Sequence, residues 1–542
     1  MPRDLEADQE MLRQVLALAE KRDIARAAVI AEQALASGFE HPLLLNVTAA
    51  RLEQEGKLDA ALQRLQRAVE LSPGDVPVRN ALSLILQRLE RPADALFHLD
   101  ILLKAHPELD YAHAGRGNAL IALGALGKAR QSLLRALELE PGNLAAEAAL
   151  ANIATHRGEH EEARTRARRV LSKIPGYPDS ILSLAAAELA SGATDHAQLL
   201  ICQLLADGRA GSAETARANG LLGDVLDAAG RYDEAFAAYA ACNESLAKQH
   251  HRFAEGTGML GYLESMLAAM RRIEPARWQA PPPMAGATAG ATGHVFLIGF
   301  PRSGTTLLEV ALDGHPRVAS LEEHELLKHG VMQYMREPVD FEPLLDAGEP
   351  ELQALRDRYW REVSEGGADV NGKVFVDKHP LHTLKLPLIA RMFPQARILF
   401  ATRDPRDVVL SGFRRRFAMN PAMYQLLNLR TGAAFYDVTM RVAGLCRTLL
   451  GLEWRDVRYE TLASDLETEL RSICQYLGLE WAPNLGDFAV RAQAREHATP
   501  STAQLARGLD TSGIGHWRNY RAALEPVLPI LQPWVERLGY PA

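Results

Sequence analysis

Apolar residues in the first half of the chain recur at helical spacing, and small residues and prolines punctuate them at a fixed interval. Pro73, Pro107, Pro141 and Pro175 stand 34 residues apart. Ala27, Ala61, Ala95, Ala129, Ala163 and Ala197 keep the same interval, and so do Gly56, Glu90, Gly124, Gly158 and Gly192. The next unit, Gly230-Arg-Tyr-Asp-Glu-Ala235, comes after 38 residues, which puts an insertion in the loop Ala206-Asp-Gly-Arg-Ala-Gly-Ser. Each unit predicts two helices. Ala119–Leu123 ends the first of one unit, Gly124 opens the turn, and Lys128–Leu139 is the second, closed by Glu-Pro-Gly because proline cannot continue a helix. The recurring alanine lets the paired helices approach closely.

A helix-turn-helix unit repeated every 34 residues resembles the tetratricopeptide repeat family. The resemblance covers roughly residues 8–250, about seven units. It implies a superhelical solenoid with a concave face that takes a protein or peptide partner. A scaffold or dimerisation role is the other reading of such an array, so a homodimer stays open.

The pattern changes after residue 250. Residues 252–275 keep a helical spacing. Gln279-Ala-Pro-Pro-Pro-Met-Ala-Gly-Ala-Thr-Ala-Gly-Ala-Thr-Gly293 then has nothing to build a core and reads as a linker. His294–Gly299 is a short apolar run that predicts a buried strand, Phe300–Gly304 a turn, and Thr305–Asp313 a helix. Strand, glycine-bearing turn and helix together aim backbone N–H groups at an anion. Against the triphosphate loop G-x-x-x-x-G-K-[ST], Gly299, Gly304 and Thr306 fit, but Thr305 stands at the lysine position and Arg302 supplies a cation inside the loop. That argues against a Mg²⁺-dependent nucleotide kinase. A second apolar run, Arg397–Thr402, precedes Arg403-Asp-Pro-Arg-Asp-Val-Val-Leu-Ser411, with a helix continuing through Arg416. Arg403, Ser411 and Arg415 could hold a second phosphate, for which the planar guanidinium is well shaped.

Pro301-Arg-Ser-Gly-Thr-Thr306 together with Arg403–Ser411 resembles the sulfotransferases that use 3′-phosphoadenosine 5′-phosphosulfate, over about residues 294–540. By that resemblance Arg302, Ser303, Gly304, Thr305 and Thr306 hold the 5′-phosphosulfate, Arg403, Ser411 and Arg415 hold the 3′-phosphate, and Tyr459 contacts the nucleotide. Gly515-His516-Trp517-Arg-Asn519 resembles the late Gly-x-Trp element, which adds His516 and Trp517 to the donor-binding set and makes Ser501–Ser512 a loop over the donor. Leu312-Asp-Gly-His-Pro316, the pair Glu322-Glu323, and Asp377–Lys385 followed by Ala390–Pro394 are most similar to the protein-tyrosine sulfotransferases. This implies Glu323 as general base, with His324, His379 and His382 as rivals. Lys378 would be the cation at the bridging oxygen or sulfonate, assisted by Ser501. No metal is implied.

Three residues depart from the family pattern. His516 stands where relatives carry Lys or Arg, Asp510 adds negative charge near the donor, and Glu325 replaces an arginine of the tyrosine-specific enzymes. Glu325 leaves the acceptor open between a protein tyrosine, a peptide, a glycan and a small alcohol. The expected architecture is therefore an all-α tetratricopeptide solenoid over 8–250, a helix plus Pro/Gly/Ala linker over 251–293, and an α/β P-loop-like sulfotransferase domain with a central parallel sheet over 294–542. A catalytically inactive interaction scaffold is the alternative of a different class.

Composition narrows the partners. The net charge is −8, which excludes a general nucleic-acid binder and requires any anion site to be built locally. The 47% hydrophobic and 24% charged content is that of an ordinary globular protein, without an apolar run long enough to span a membrane. Cys202, Cys242, Cys446 and Cys474 form no CxxC pair, which predicts reduced thiols, and with the polar N-terminus a cytoplasmic protein.

Overall fold

The computed structural model describes residues 5–208, 210–256, 258–279, 289–494, 508–509 and 511–541. It divides into two compact units, one reaching to Ala187 and one built from Glu188 onward. Within these residues no helix is long and apolar enough to cross a membrane, and the four cysteines are free.

The first unit is a run of helix pairs: Leu5–Glu20 with Ile24–Ala36, Pro42–Gln54 with Leu58–Leu71, Val76–Arg88 with Pro92–Ala105, Asp110–Ala122 with Leu126–Leu139, and Leu144–Arg157 with His160–Leu171. The side chains of Asp23, Asp75 and Asn143 accept N–H groups of the helices they precede, which satisfies donors that have no intrahelical partner. The alanines of the 34-residue series, Ala27, Ala61, Ala95, Ala129 and Ala163, are all 0% exposed. Each sits where two helices touch, so a larger side chain would push them apart.

The turn between paired helices needs a left-handed residue. Gly56, Gly124 and Gly158 have φ between 74° and 77°, yet the same position holds Arg22 at 60° and Glu90 at 56°. A side chain in this conformation costs roughly 1 kcal/mol. Glu90→Gly is expected to raise stability by about 0.5–1 kcal/mol, read from the urea midpoint. A lowered midpoint would mean that contacts of the Glu90 side chain outweigh the backbone strain.

The second unit contains the end of the helical array as well as the sheet. The series alanines Ala197 and Ala235 are here, again 0% exposed. The last pair is α1 (Ser212–Ala228) and α2 (Tyr232–Gln249). A 3₁₀ turn, His251–Ala254, and helices Gly258–Arg272 and Pro275–Gln279 follow, in line with the helical spacing of that stretch. The sheet then forms from β1 (Gly293–Gly299), β2 (Val318–Ser320), β3 (Val374–Lys378), β4 (Arg397–Thr402) and β5 (Glu453–Arg458). Its order is β2-β3-β1-β4-β5 and every pairing is parallel.

A parallel sheet must be covered on both faces, and the strands are apolar accordingly. Successive residues alternate between two buried clusters. Phe296, Ile298, Phe375, Ile398 and Phe400 pack with α1 and α2 residues such as Leu226 and Tyr239, with α4 (Glu349–Glu365) and with α6 (Leu429–Leu449). Val295, Leu297, Val376 and Leu399 pack on the other face with α3 (Thr305–Leu312) and α7 (Leu466–Leu477). Helix α5 spans Pro405–Arg414, ending before the Arg416 expected from the sequence because Arg415 turns to an extended conformation. The stretch 321–327 is irregular, so Glu322 and Glu323 do not begin a helix; the next one is Lys328–Tyr334.

Candidate active site

The chain leaves β1 toward β2 and β3 on one side and later fills β4 and β5 on the other. The carboxyl edge around β1 is therefore a topological switch point, where open parallel sheets bind ligands. The predicted residues follow this edge in strand order. Glu323 comes after β2, Lys378 ends β3, the loop Arg302–Thr306 follows β1, Arg403 follows β4, and Tyr459 follows β5.

The loop after β1 is held from below. Thr383 donates its hydroxyl to the Gly299 carbonyl at 2.6 Å and accepts the Gly299 N–H at 3.1 Å. Gly304 has a φ of 94°, and a Cβ on it would lie 2.5 Å from the Tyr459 ring, so glycine is required twice over. Ser303, Thr305 and Thr306 are buried at the start of α3. The Arg302 side chain crosses to Ser411, with Nε 3.0 Å from Oγ. Arg403 donates to the Arg302 carbonyl at 3.3 Å and to the Gly513 carbonyl at 2.5 Å, and its guanidinium lies 4.5 Å over the Tyr459 ring. Arg302, Ser411, Arg403 and Tyr459 thus meet, although far apart in sequence.

This cluster brings several positive charges together. Burial first, then the charges of Arg415 and Arg403, press the Arg302 guanidinium below its ordinary value. Arginine keeps its proton at neutral pH regardless, so a bound anion would relieve the repulsion. The buried Nε of Arg403 has no hydrogen-bond partner among the described residues. Crowded cations, an orphaned donor and a helix start describe an anion site.

At the other end of the edge, Lys378 Nζ is fully buried, 2.7 Å from Glu323 and 3.3 Å from Glu309 of α3. Glu309 is also fully buried, whereas the Glu323 side chain is 39% exposed. Burial raises the Glu323 pKa, but Lys378 and His379 more than offset it and hold the carboxyl below its ordinary range.

The histidines have other partners. His382 is fully buried, and its Nε2 lies 3.1 Å from Asp377, which also accepts the Tyr359 hydroxyl at 2.7 Å. His379 accepts the Leu381 N–H on Nδ1 and meets Glu325 through Nε2 at 3.1 Å; burial and His382 lower its pKa to about 4. His324 Nδ1 bonds to the Leu321 carbonyl of its own turn. Glu325, His379 and His382 bring potential metal-ligand atoms within 4.8 Å of one another. Lys385 already binds both Glu325 oxygens, at 2.6 and 2.9 Å, and a metal would have to displace it.

His516 and Trp517 are not gathered into the arginine cluster. His516 Nε2 lies 2.9 Å from Asp227 of α1, and the Trp517 ring lies under Arg406 at 3.9 Å. Ser501 and Asp510 lie outside the described residues. Two site carboxylates were missed from the sequence. Glu309 is a lone acid in the apolar run Thr-Thr-Leu-Leu-Glu-Val-Ala-Leu, which was a usable signal. Asp407 accepts the Gly515 and Trp517 N–H groups at 2.6 and 2.8 Å, a contact that no local pattern announces.

The class defined by this fold and edge is a group-transfer domain behind a helical repeat array, and comparison with known proteins agrees. Residues 294–483 match the sulfotransferase family, and residues 52–118 and 111–143 match tetratricopeptide repeats. The chain carries tetratricopeptide repeats followed by a sulfotransferase domain. It is similar to an uncharacterized protein of Aquifex aeolicus (strain VF5), 26% identical over 425 residues, 76% of this chain and 54% of that protein. The chain thus spans about half the length of that relative. It is 24% identical over 260 residues to protein-tyrosine sulfotransferase A of Caenorhabditis elegans, covering 45% of this chain and 67% of that one. It is 24% identical over 162 residues to the omega-hydroxy-beta-dihydromenaquinone-9 sulfotransferase of Mycobacterium tuberculosis (strain CDC 1551 / Oshkosh), covering 27% and 39%.

Proposed function

We propose that the protein transfers a sulfuryl group from 3′-phosphoadenosine 5′-phosphosulfate to an acceptor hydroxyl, and that the repeats recruit a polypeptide that is or carries the acceptor. The observation that carries this reading is the order of groups along the carboxyl edge of the sheet. A phosphate loop lies at its centre, with a second arginine and serine anchor on one side and a lysine–carboxylate pair on the other. A ligand bearing a phosphosulfate and a separate phosphate matches that order, with its reacting end toward Lys378 and Glu323.

In the transfer, the acceptor oxygen bonds to sulfur, the sulfur–oxygen bond to the 5′-phosphate breaks, and adenosine 3′,5′-bisphosphate leaves. Arg302 and the N–H groups of the loop hold the 5′ end, and Arg403, Ser411 and Arg415 hold the 3′-phosphate. Lys378 faces the bridging oxygen, and Glu323 takes the acceptor proton. A carboxylate is a weak base toward a phenol of pKa ~10, and its contact with Lys378 weakens it further. Lys378 turning toward the departing phosphate would free Glu323 while keeping Glu309 as its own counter-charge. Glu323 acts as base because it is accessible and lies beside Lys378, whereas His382 is fully buried.

Because the Glu323 carboxyl is held low, it is already ionised across the neutral range. The rate of transfer from saturating donor is expected to stay flat from about pH 8 down to about pH 6, with its acid limb below the ordinary glutamate value of ~4.3. An inflection near ~6.5 in the pH–rate profile would give the base role to a histidine other than His379, whose pKa is lowered to about 4.

The acceptor has two supported readings. The tyrosine sulfotransferase relative and the repeat array favour a protein hydroxyl. Glu325, negative where the tyrosine-specific enzymes have arginine, and the omega-hydroxy-beta-dihydromenaquinone-9 sulfotransferase relative favour a smaller, uncharged alcohol. Transfer of ³⁵S-sulfate from labelled donor into a cell lysate decides between them: label on protein supports the first, and label in small molecules alone defeats it. Calorimetry with adenosine 3′,5′-bisphosphate tests the donor, and no binding would favour an inactive scaffold.

A further inference from the structure

Arg414, Arg415 and Arg416 are consecutive, but the protein treats them differently. Arg414 pairs with Asp227 at 2.6 Å and Arg416 with Asp224 at 3.2 Å, both acids from α1 of the repeat array. Gly220 of the same helix makes room for Arg416, because a Cβ there would run into the guanidinium. Asn243 of α2 donates to the Phe413 carbonyl at 2.8 Å, and the Phe236 ring stacks on Phe413 with centroids 5.2 Å apart. The Arg415 backbone N–H donates to the Gly412 carbonyl, but its side chain has no hydrogen bond or ion pair to any described residue. It lies close enough to Arg302 to be the strongest charged influence on it.

Asp227 also accepts from the far side of the donor site. His516 Nε2 lies 2.9 Å from its carboxylate, and the Tyr520 hydroxyl donates to the same oxygen. The 513–520 segment contributes the Gly513 carbonyl that holds Arg403. One carboxylate on a repeat helix therefore ties down both segments beside the anchor for the second phosphate. His516 stands where relatives place a cation, and its link to Asp227 explains why that position does not join the arginine cluster.

We propose that Asp227, supplied by the repeat array and not by the nucleotide-binding fold, is a positioning residue for the 3′-phosphate: it draws Arg414 and the His516–Tyr520 turn aside and leaves Arg415 and Arg403 to bind that group. The proposal rests on the donor reading above. Arg415 is then the contact and Asp227 the residue that presents it.

The test compares two nucleotides that differ only in the 3′-phosphate. Affinities of the full chain for adenosine 3′,5′-bisphosphate and adenosine 5′-phosphate are measured by calorimetry for the wild type, Asp227→Asn and Arg415→Met. The wild type should prefer the bisphosphate. Both variants should lose about tenfold or more on the bisphosphate and less than about twofold on the monophosphate, as expected for one charge-assisted contact. Arg415→Met breaks no side-chain hydrogen bond or ion pair with a described residue, so it reports even if Asp227→Asn folds poorly. Their combination should lose no more than the larger single effect, because both act through one contact. Equal losses on both nucleotides, or fully additive losses, would overturn the positioning role and leave Asp227 as general scaffolding. A wild type that prefers the bisphosphate with variants that keep the preference would also overturn it. A wild type that binds neither nucleotide would sink the donor reading itself.

Discussion

Arg302→Ala is expected to weaken binding of adenosine 3′,5′-bisphosphate by about 100-fold or more, since it removes charge-assisted hydrogen bonds to phosphate in a buried setting. Without nucleotide, the variant should lose little stability: the bond to Ser411 goes, but so does a repulsion. Arg302 is held against the charges of Arg415 and Arg403, and its removal relieves that repulsion. Arg403→Ala should lose binding comparably but should also lower stability. It gives up the bonds to the Arg302 and Gly513 carbonyls and the contact with the Tyr459 ring. The readouts are a titration of nucleotide and a thermal melt of each variant without it. Arg302→Ala retaining affinity within about threefold would remove the loop as the 5′ anchor. Arg302→Ala melting well below the wild type would make Arg302 a structural residue.

Lys378→Met should be damaging in two separable ways. Lys378 and Glu309 face each other with both side chains 0% exposed, and removing the lysine leaves a buried carboxylate without that counter-charge. Breaking such a pair costs about 3–5 kcal/mol, so the melting temperature should fall sharply. Replacing both, Lys378→Met with Glu309→Leu, should recover most of the stability, because an apolar pair of similar volume fits a buried site as well as an ion pair does. Turnover should not recover. Glu323→Gln should keep donor affinity and stability while losing about 10²–10⁴-fold in turnover, the usual range for a general base. A well-folded double variant with wild-type turnover would remove Lys378 from the chemistry. A Glu323→Gln variant with wild-type turnover would pass the base to a histidine.

The segments that make up the proposed donor half of the site were legible from residue order alone. The strand, turn and helix around Arg302–Thr306 form one continuous segment, and so do Arg397–Thr402 and the Arg403–Ser411 anchor. Short-range patterning and turn chemistry act within such segments, so their boundaries could be read closely: Arg397–Thr402 is a strand over the same residues, and the helix after Gly304 begins at Thr305. The repeat interval was equally legible, because each unit buries an alanine at the same place, and every alanine of the series is 0% exposed.

What the sequence determined by itself was thus the local inventory: the helical repeats, the strand, turn and helix of the candidate phosphate loop, the candidate second arginine anchor, and the candidates for base and cation. Tertiary structure alone decided how these charges are distributed. Helix α3 places Glu309 under Lys378, β3 seats Asp377 against His382 and Tyr359, and α1 delivers Asp227 to Arg414 and His516 across 187 and 289 residues of chain. The physical reason is that ion pairs are set by distance in space. A carboxylate carries no mark in sequence of which cation it will meet, and a run of three arginines does not say which of them goes without an ion pair among the described residues. Here the folded chain settles both, and it does so partly with residues of the repeat array that precedes the sheet.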